Sequence, residues 1–164
     1  MKTAIVGASG YAGTELLRLL LDHPNFEPTV ITGHSNAGEL ISSVAPQLAK
    51  LGDRRFEAFD LARVNACDLV FLALPHGESA ALIAQLDPEL KVVDLGADFR
   101  LTSAEKWAHY YGGTHAGTWT YGLPELPGKR EAIRKSTRIA NPGCYATSIS
   151  LAIAPALGLV DTRD

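Results

Sequence analysis

Two clusters of residues in this chain are of types that do chemistry. Asn141-Pro142-Gly143-Cys144-Tyr145-Ala146-Thr147 sets a cysteine where a short apolar run, Arg138–Ala140, gives way to a helical pattern beginning near Tyr145. The first turn of a helix presents unpaired N–H groups and a partial positive charge, and both favour thiolate over thiol. Cys144 is therefore a candidate nucleophile. The alternative is a buried structural thiol, because free cysteines are often core residues. The preceding proline and glycine and the following helix favour the nucleophile. The second cluster is Gly7-Ala8-Ser9-Gly10-Tyr11-Ala12-Gly13, which follows a candidate strand and opens a candidate helix. In such a loop the first glycine permits a tight turn, the second lets the backbone approach a pyrophosphate, and the third allows close helix–strand packing. The helix N-terminus then meets the phosphates. Gly7, Ser9, Gly10, Tyr11, Ala12 and Gly13 are candidate dinucleotide contacts, a bare glycine turn being the alternative. A nucleophilic cysteine and a nucleotide cradle together point to an oxidoreductase working through a thioester. The thiolate would expel phosphate from an acyl phosphate, and hydride from a nicotinamide would turn the thioester into an aldehyde.

The remaining candidates lie at the ends of apolar runs. An NAD site commonly has Asp or Glu about 20 residues beyond the glycine loop. Here the stretch reads Thr32-Gly33-His34-Ser35-Asn36, with no carboxylate before Glu39. Ser35 and Asn36 can donate hydrogen bonds to a 2′-phosphate, which favours NADP over NAD, against the alternative of a plain polar loop. Leu74, Pro75 and His76 close the clearest buried strand at the edge where open parallel sheets bind ligands, so this loop is expected to flank the nicotinamide or to be an ordinary turn. Arg100, in Asp94-Leu95-Gly96-Ala97-Asp98-Phe99-Arg100, is suited to hold a carboxylate or phosphate bidentately, or to pair with Asp98 or Asp94. Asn141 offers an amide donor to an oxyanion near Cys144, an Asx-type turn being the rival explanation. Tyr121-Gly122-Leu123-Pro124-Glu125 either lines the site or packs a sheet edge. None of His23, His34, His76, His109 and His115 has a spacing that marks it as the partner of the cysteine. Cys67, beside Asp68 at the entry to an apolar strand, reads as inert packing.

These clusters need a scaffold. Apolar runs of strand length at Lys2–Val6, Thr29–Thr32, Leu69–Ala73, Lys91–Asp94, Thr118–Tyr121 and Arg138–Ala140 alternate with helical patterns at Ala12–Leu21, Leu61–Ala66, Ser79–Leu86, 103–111, Glu131–Lys135 and Ser148–Ala156. Short pieces are expected at Gly38–Ser43 (helix) and Phe56–Phe59 (edge strand). Such alternation predicts an α/β, Rossmann-like, doubly wound and mainly parallel sheet with helices on both faces. The 164 residues, 46% of them hydrophobic and 20% charged, suffice for one domain with a real core. A formal net charge of −3 with no basic run argues against nucleic acid as a partner. No apolar stretch approaches the roughly 20 residues that span a bilayer. Two widely spaced cysteines give neither a disulfide framework nor a zinc signature, which fits a reducing cytoplasm. The tail Leu159–Asp164 follows a helix without a second domain, so the chain is expected to be a fragment.

Taken together, the glycine loop, His34-Ser35-Asn36-Ala37-Gly38, Leu74-Pro75-His76-Gly77, Asp94–Arg100, Tyr121–Glu125 and Asn141–Thr147 resemble N-acetyl-gamma-glutamyl-phosphate reductases, in the order of that family and from end to end of the chain. The resemblance implies NADPH-dependent reductive dephosphorylation of N-acetyl-glutamyl 5-phosphate to the 5-semialdehyde, in arginine biosynthesis. It makes Cys144 the nucleophile, lays the cofactor phosphates on Gly7–Gly13 and puts Ser35 at the 2′-phosphate end. It also implies a longer parent, usually a homo-oligomer, whose second domain carries a catalytic histidine and much of the pocket for a small acyl-phosphate substrate. On this reading residues 1–143 are the NADP-binding domain and 144–164 begin the catalytic domain, so the piece binds cofactor but is inactive alone. The rivals are a semialdehyde dehydrogenase acting on an aspartyl or carrier-linked acyl phosphate, and a non-catalytic nucleotide-binding module or redox sensor.

Overall fold

The computed structural model describes residues 1–159. Six strands, β1 (Lys2–Val6), β2 (Glu27–Ile31), β3 (Leu69–Leu72), β4 (Lys91–Asp94), β5 (Thr120–Tyr121) and β6 (Arg138–Ala140), form one sheet in the order β2-β1-β3-β4-β6-β5. Every pairing among them is parallel. The central strands are continuous apolar runs because both faces of the sheet are covered there; all four residues of β3 are buried.

Helix α1 (Tyr11–Leu21) and the segment containing α2 (Ile41–Val44) cover one face. Leu17 and Leu20 of α1 join Ile5, Ile31, Ile41, Leu48 and Phe56 in one core, with Leu16 and Leu21 at its margin. Helices α3 (Leu61–Asn65) and α4 (Ser79–Ile83) cover the other face, where Val64, Leu86 and Leu90 pack on Ala4, Val70, Leu72 and Val92. Helices α5 (Ala104–Tyr110) and α6 (Lys129–Lys135) lie in the connections flanking β5. Helix α7 (Cys144–Ile153) leaves β6 and tightens into a 3-10 turn, Ala154–Ala156, where Pro155 has no N–H to continue the helix. Among the described residues no helix is long and apolar enough to cross a membrane.

The doubly wound architecture read from the sequence is present, with shifts at several boundaries. Phe56–Phe59 forms no strand. Its backbone bonds divide between two partners, Glu39 and Gly38 on one side and Ile31 and Gly33 on the other, so that only isolated bridges form. Helix α4 stops at Ile83, and the amides of Gln85 and Leu86 turn back to carbonyls three residues earlier. Helix α7 starts at Cys144 itself, with Gly143 as its N-cap. Residues 160–164, the end of the expected second segment, lie outside the described residues.

Candidate active site

From β1 the chain passes to β2 on one side of the sheet, and β3 lies on the other. The crevice beyond the carboxyl ends of β1 and β3 is the switch point at which such sheets bind ligands. The two loops there are in contact. A Cβ on Gly7, whose φ is +83°, would stand 2.4 Å from the Ala73 carbonyl oxygen, so only glycine serves. A Cβ on Gly13 would stand 2.4 Å from the Gly7 carbonyl, which is what draws α1 against the loop. A Cβ on Gly10 would meet only the Gly7 oxygen, at 3.5 Å, so this glycine faces open space. Among the described residues no side chain caps α1, which leaves its first amides open.

Gly7, Ser9, Gly10, Tyr11, Ala12, Leu74 and Pro75 line a single cleft of about 380 Å³, together with His34 and Glu78. Gly13 is buried beneath it. Ser9 donates its hydroxyl to the Gly33 carbonyl at 3.0 Å, which ties the glycine loop to the end of β2. Tyr11 is almost fully exposed. Beside the cleft a second hollow of about 280 Å³ has apolar walls from Phe59, Leu74 and Leu82. His34 borders both hollows and holds a left-handed φ of +43°, the only non-glycine residue to do so among those described. Ser35 is exposed and Asn36 half-buried, and neither lines the cleft. The Asn36 amide donates to the Glu39 carboxylate at 3.1 Å, so a carboxylate does stand at this end.

A neighbouring cavity of about 420 Å³ is lined by His76, Arg100, Tyr111, Tyr121 and the start of α7 from Gly143 to Ala146. Cys144 is exposed there, at the first position of α7. Cys67 is buried and faces the Thr29 hydroxyl at 3.6 Å. The structure thus separates the Pro75–His76 turn between two spaces, with Pro75 on the cleft over the glycine loop and His76 on the cysteine cavity. Tyr111 and Tyr145 also line the cysteine cavity, and no periodic pattern marks either. Tyr111 sits just past α5, stacked on buried Trp107 at 4.7 Å and meeting the His76 ring edge-on at 5.7 Å.

Arg100 forms neither of the ion pairs considered for it. Its Nε donates to the Asn141 carbonyl and its Nη2 to the Leu95 carbonyl, both at 2.7 Å. Its Nη1 lies beside Gly143, where a Cβ would come within 3.0 Å of it. The Asn141 amide donates to the Pro142 carbonyl at 3.2 Å, a bond local to the turn. Asp94, fully buried at the end of β4, accepts from the Ser79 hydroxyl at 2.7 Å and the Gly96 amide at 2.9 Å. Its Oδ2 has no partner among the described residues. Burial pushes the Asp94 carboxyl above the usual range, outweighing those two bonds; the Asp98 charge pushes the same way and Arg100 opposes it.

The sheet order and the glycine loop at its switch point define a Rossmann-type NAD-binding domain. Residues 2–136 match the family model for the semialdehyde dehydrogenase NAD-binding domain, and the chain belongs to that family. The resemblance carried by the six motifs is borne out among curated proteins. The chain is 61% identical over 155 residues to the N-acetyl-gamma-glutamyl-phosphate reductase of Salinispora arenicola, a match covering 94% of this chain and 46% of that protein. It is 57% identical over 165 residues to the enzyme of the same name from Acidothermus cellulolyticus, covering 99% and 48%. The chain thus spans about half the length of the curated relatives it matches. Among solved structures, aspartate semialdehyde dehydrogenase from Francisella tularensis superposes with a TM-score of 0.65 at 16% identity, over 96% of this chain and 41% of that one. Aspartate semialdehyde dehydrogenase with NADP from Candida albicans gives 0.60 at 15% identity, over 96% and 47%. Identities this low speak to the fold alone.

Proposed function

We propose that this chain is the nucleotide-binding, cysteine-bearing part of an NADPH-dependent N-acetyl-gamma-glutamyl-phosphate reductase. The observation that carries the reading is the adjacency of two spaces. One turn, Pro75–His76, borders both the cleft over the glycine loop and the cavity that exposes Cys144.

The cleft fits a dinucleotide. The uncapped amides of α1 and the open side of Gly10 would receive the diphosphate, the apolar hollow beside His34 the adenosine end, and Ser35 the 2′-phosphate. When bound, NADPH supplies a hydride. The Cys144 thiolate attacks the carbonyl of the acyl phosphate, the C–O bond to phosphate breaks with its electron pair leaving on phosphate, and a thioester remains on Sγ. Reduction at the thioester carbonyl releases the aldehyde and returns the thiolate. Nη1 of Arg100, the nitrogen not engaged with Asn141 or Leu95, is the group offered to the phosphate or carboxylate of the substrate.

We place the domain division at residues 143 and 144, and assign the acid–base group to the part of the polypeptide corresponding to the other half of the relatives. The whole protein is then a cytoplasmic enzyme of arginine biosynthesis. The 164-residue chain should bind NADPH more tightly than NADH in fluorescence titrations and turn over little or no N-acetyl-glutamyl 5-phosphate. Iodoacetamide at about pH 7 should label Cys144 faster than free cysteine and should spare Cys67. Tighter binding of NADH would overturn the choice of cofactor. Labelling of Cys144 no faster than free cysteine would overturn its role as nucleophile.

A further inference from the structure

The segment that follows β4 grips both loops that border the two spaces. Within Asp98-Phe99-Arg100 successive side chains take different directions. The Asp98 carboxylate, 1% exposed, accepts from the Gly77 amide at 2.7 Å through Oδ1 and from the Ala80 amide at 3.1 Å through Oδ2. Phe99 is buried and stacked on Trp119 at 3.8 Å with the planes 8° apart, and the Trp119 amide donates to the Phe99 carbonyl at 3.0 Å. Arg100 reaches the other way, to the Asn141 carbonyl three residues before Cys144.

Helix α4 does not cap itself, since Glu78 makes no side-chain bond at its N-terminus. The carboxylate that takes up the Ala80 amide of its first turn, and the Gly77 amide just before it, comes instead from Asp98, in the loop after the next strand. Gly77, one of those donors, follows His76 directly and has a φ of +92°. Pro75 and Glu78 border the nucleotide cleft, and His76 borders the cysteine cavity. The position of this turn relative to both spaces is therefore held from below by one buried carboxylate.

We propose that Asp98 is a positioning residue of the reaction, fixing the Pro75–Glu78 turn against the nucleotide cleft and His76 against the cysteine cavity. The proposal rests on the cofactor and nucleophile reading above. Asp94 and Ser79 form the neighbouring anchor of the same helix and serve as the control, because their bond does not reach Gly77.

The test measures NADPH affinity by fluorescence titration, thermal unfolding, and the rate of Cys144 alkylation with and without saturating NADP⁺. Asp98→Asn replaces one of two acceptors by a donor facing an N–H. It should weaken NADPH binding about tenfold, the worth of one charge-assisted hydrogen bond, and should abolish any protection of Cys144 by NADP⁺. Ser79→Ala should lower the unfolding temperature comparably yet leave affinity within about twofold, because the bond it removes ends on Asp94 and does not hold the Gly77 amide. Gly77→Ala keeps Asp98 and places its methyl in open space, so its cost is confined to the left-handed φ of the turn. It strains only the turn and should show the same loss of affinity. Affinity within twofold of wild type in Asp98→Asn or Gly77→Ala, or an equal loss in Ser79→Ala, overturns the proposal. A wild-type chain that binds no nicotinamide nucleotide overturns the reading beneath it instead.

Discussion

Gly143 shows how a single residue is chosen for room. Its φ of −70° is open to any residue, so conformation does not demand glycine there. The demand comes from the Arg100 guanidinium, which a Cβ would crowd. Gly96 plays the same part for Asp94 and Ser79, since a Cβ there would approach the Asp94 carboxylate and the Ser79 hydroxyl at 3.0 and 3.2 Å. The tight pocket around Asp94 has a pH signature. Burial raises its pKa in the folded state, so between the ordinary aspartate value of about 3.9 and the higher folded value the native chain binds more protons than the unfolded one. Its stabilising contribution is present below that window and is lost as pH rises through the folded pKa. Asp94→Asn should remove this part of the slope, so that from about pH 4 upward the wild-type urea midpoint falls relative to that of the variant. Parallel profiles would show that Asp94 ionises in the fold as freely as in the unfolded chain.

The glycine loop and α1 divide their work between packing and binding, and two substitutions separate the shares. Gly13→Ala drives a methyl into the backbone of Gly7 and Ala8, at 2.4 and 2.7 Å, which no side-chain rotation relieves. Overpacking of this kind costs about 1–3 kcal/mol, and it should appear as a lower denaturation midpoint together with weaker NADPH binding. Gly10→Ala meets one atom at an ordinary 3.5 Å, so stability should hold while affinity falls, the methyl standing where the proposed function puts the diphosphate. If both variants lost stability equally, the loop would be packing alone. These elements were legible because their physics is local. Apolar runs such as Leu69–Leu72 announce a doubly covered strand, and glycines spaced by three announce a tight turn before a helix. Phe56–Phe59 misled because its aromatic pattern serves burial, Phe56 being 1% exposed, while its amides bond across a gap that no local pattern encodes. Asp98 read only as a possible partner for Arg100, since its bonds to Gly77 and Ala80 join residues 21 and 18 positions apart. Tyr111 went unseen because what brings it to His76 is its stack on Trp107, a tertiary contact.

The surface of the whole described molecule is unevenly finished. Parallel sheets bury both faces, yet beside α1 the strands β3, β4 and β6 border an apolar hollow of about 390 Å³ lined by Phe71, Val93 and Ile139. Helix α7 has no buried residue, and Tyr145, Ile149, Leu151 and Ile153 stand in solvent, followed by Leu157 and Leu159 at 56% and 87% exposure. Lone exposed apolar side chains are ordinary, but a run of this kind along one helix and the turn after it is not. At about 25 cal/mol per Å², covering even a few of these side chains is worth several kcal/mol, enough to drive copies of the chain together. The 164-residue chain should therefore show a sedimentation coefficient that rises with concentration and should brighten a hydrophobic dye in its folded state. The pair Ile149→Glu and Leu157→Glu should restore a concentration-independent monomer and dim the dye, with little change in unfolding temperature because neither residue packs in a core. NADPH affinity should also stay unchanged, because the proposed nucleotide cleft is bounded by the loops after β1, β2 and β3 and no residue of α7 lines it. A wild-type chain that is monomeric at every concentration and leaves the dye dark would mean that α7 is shielded in solution by contacts the fold does not display.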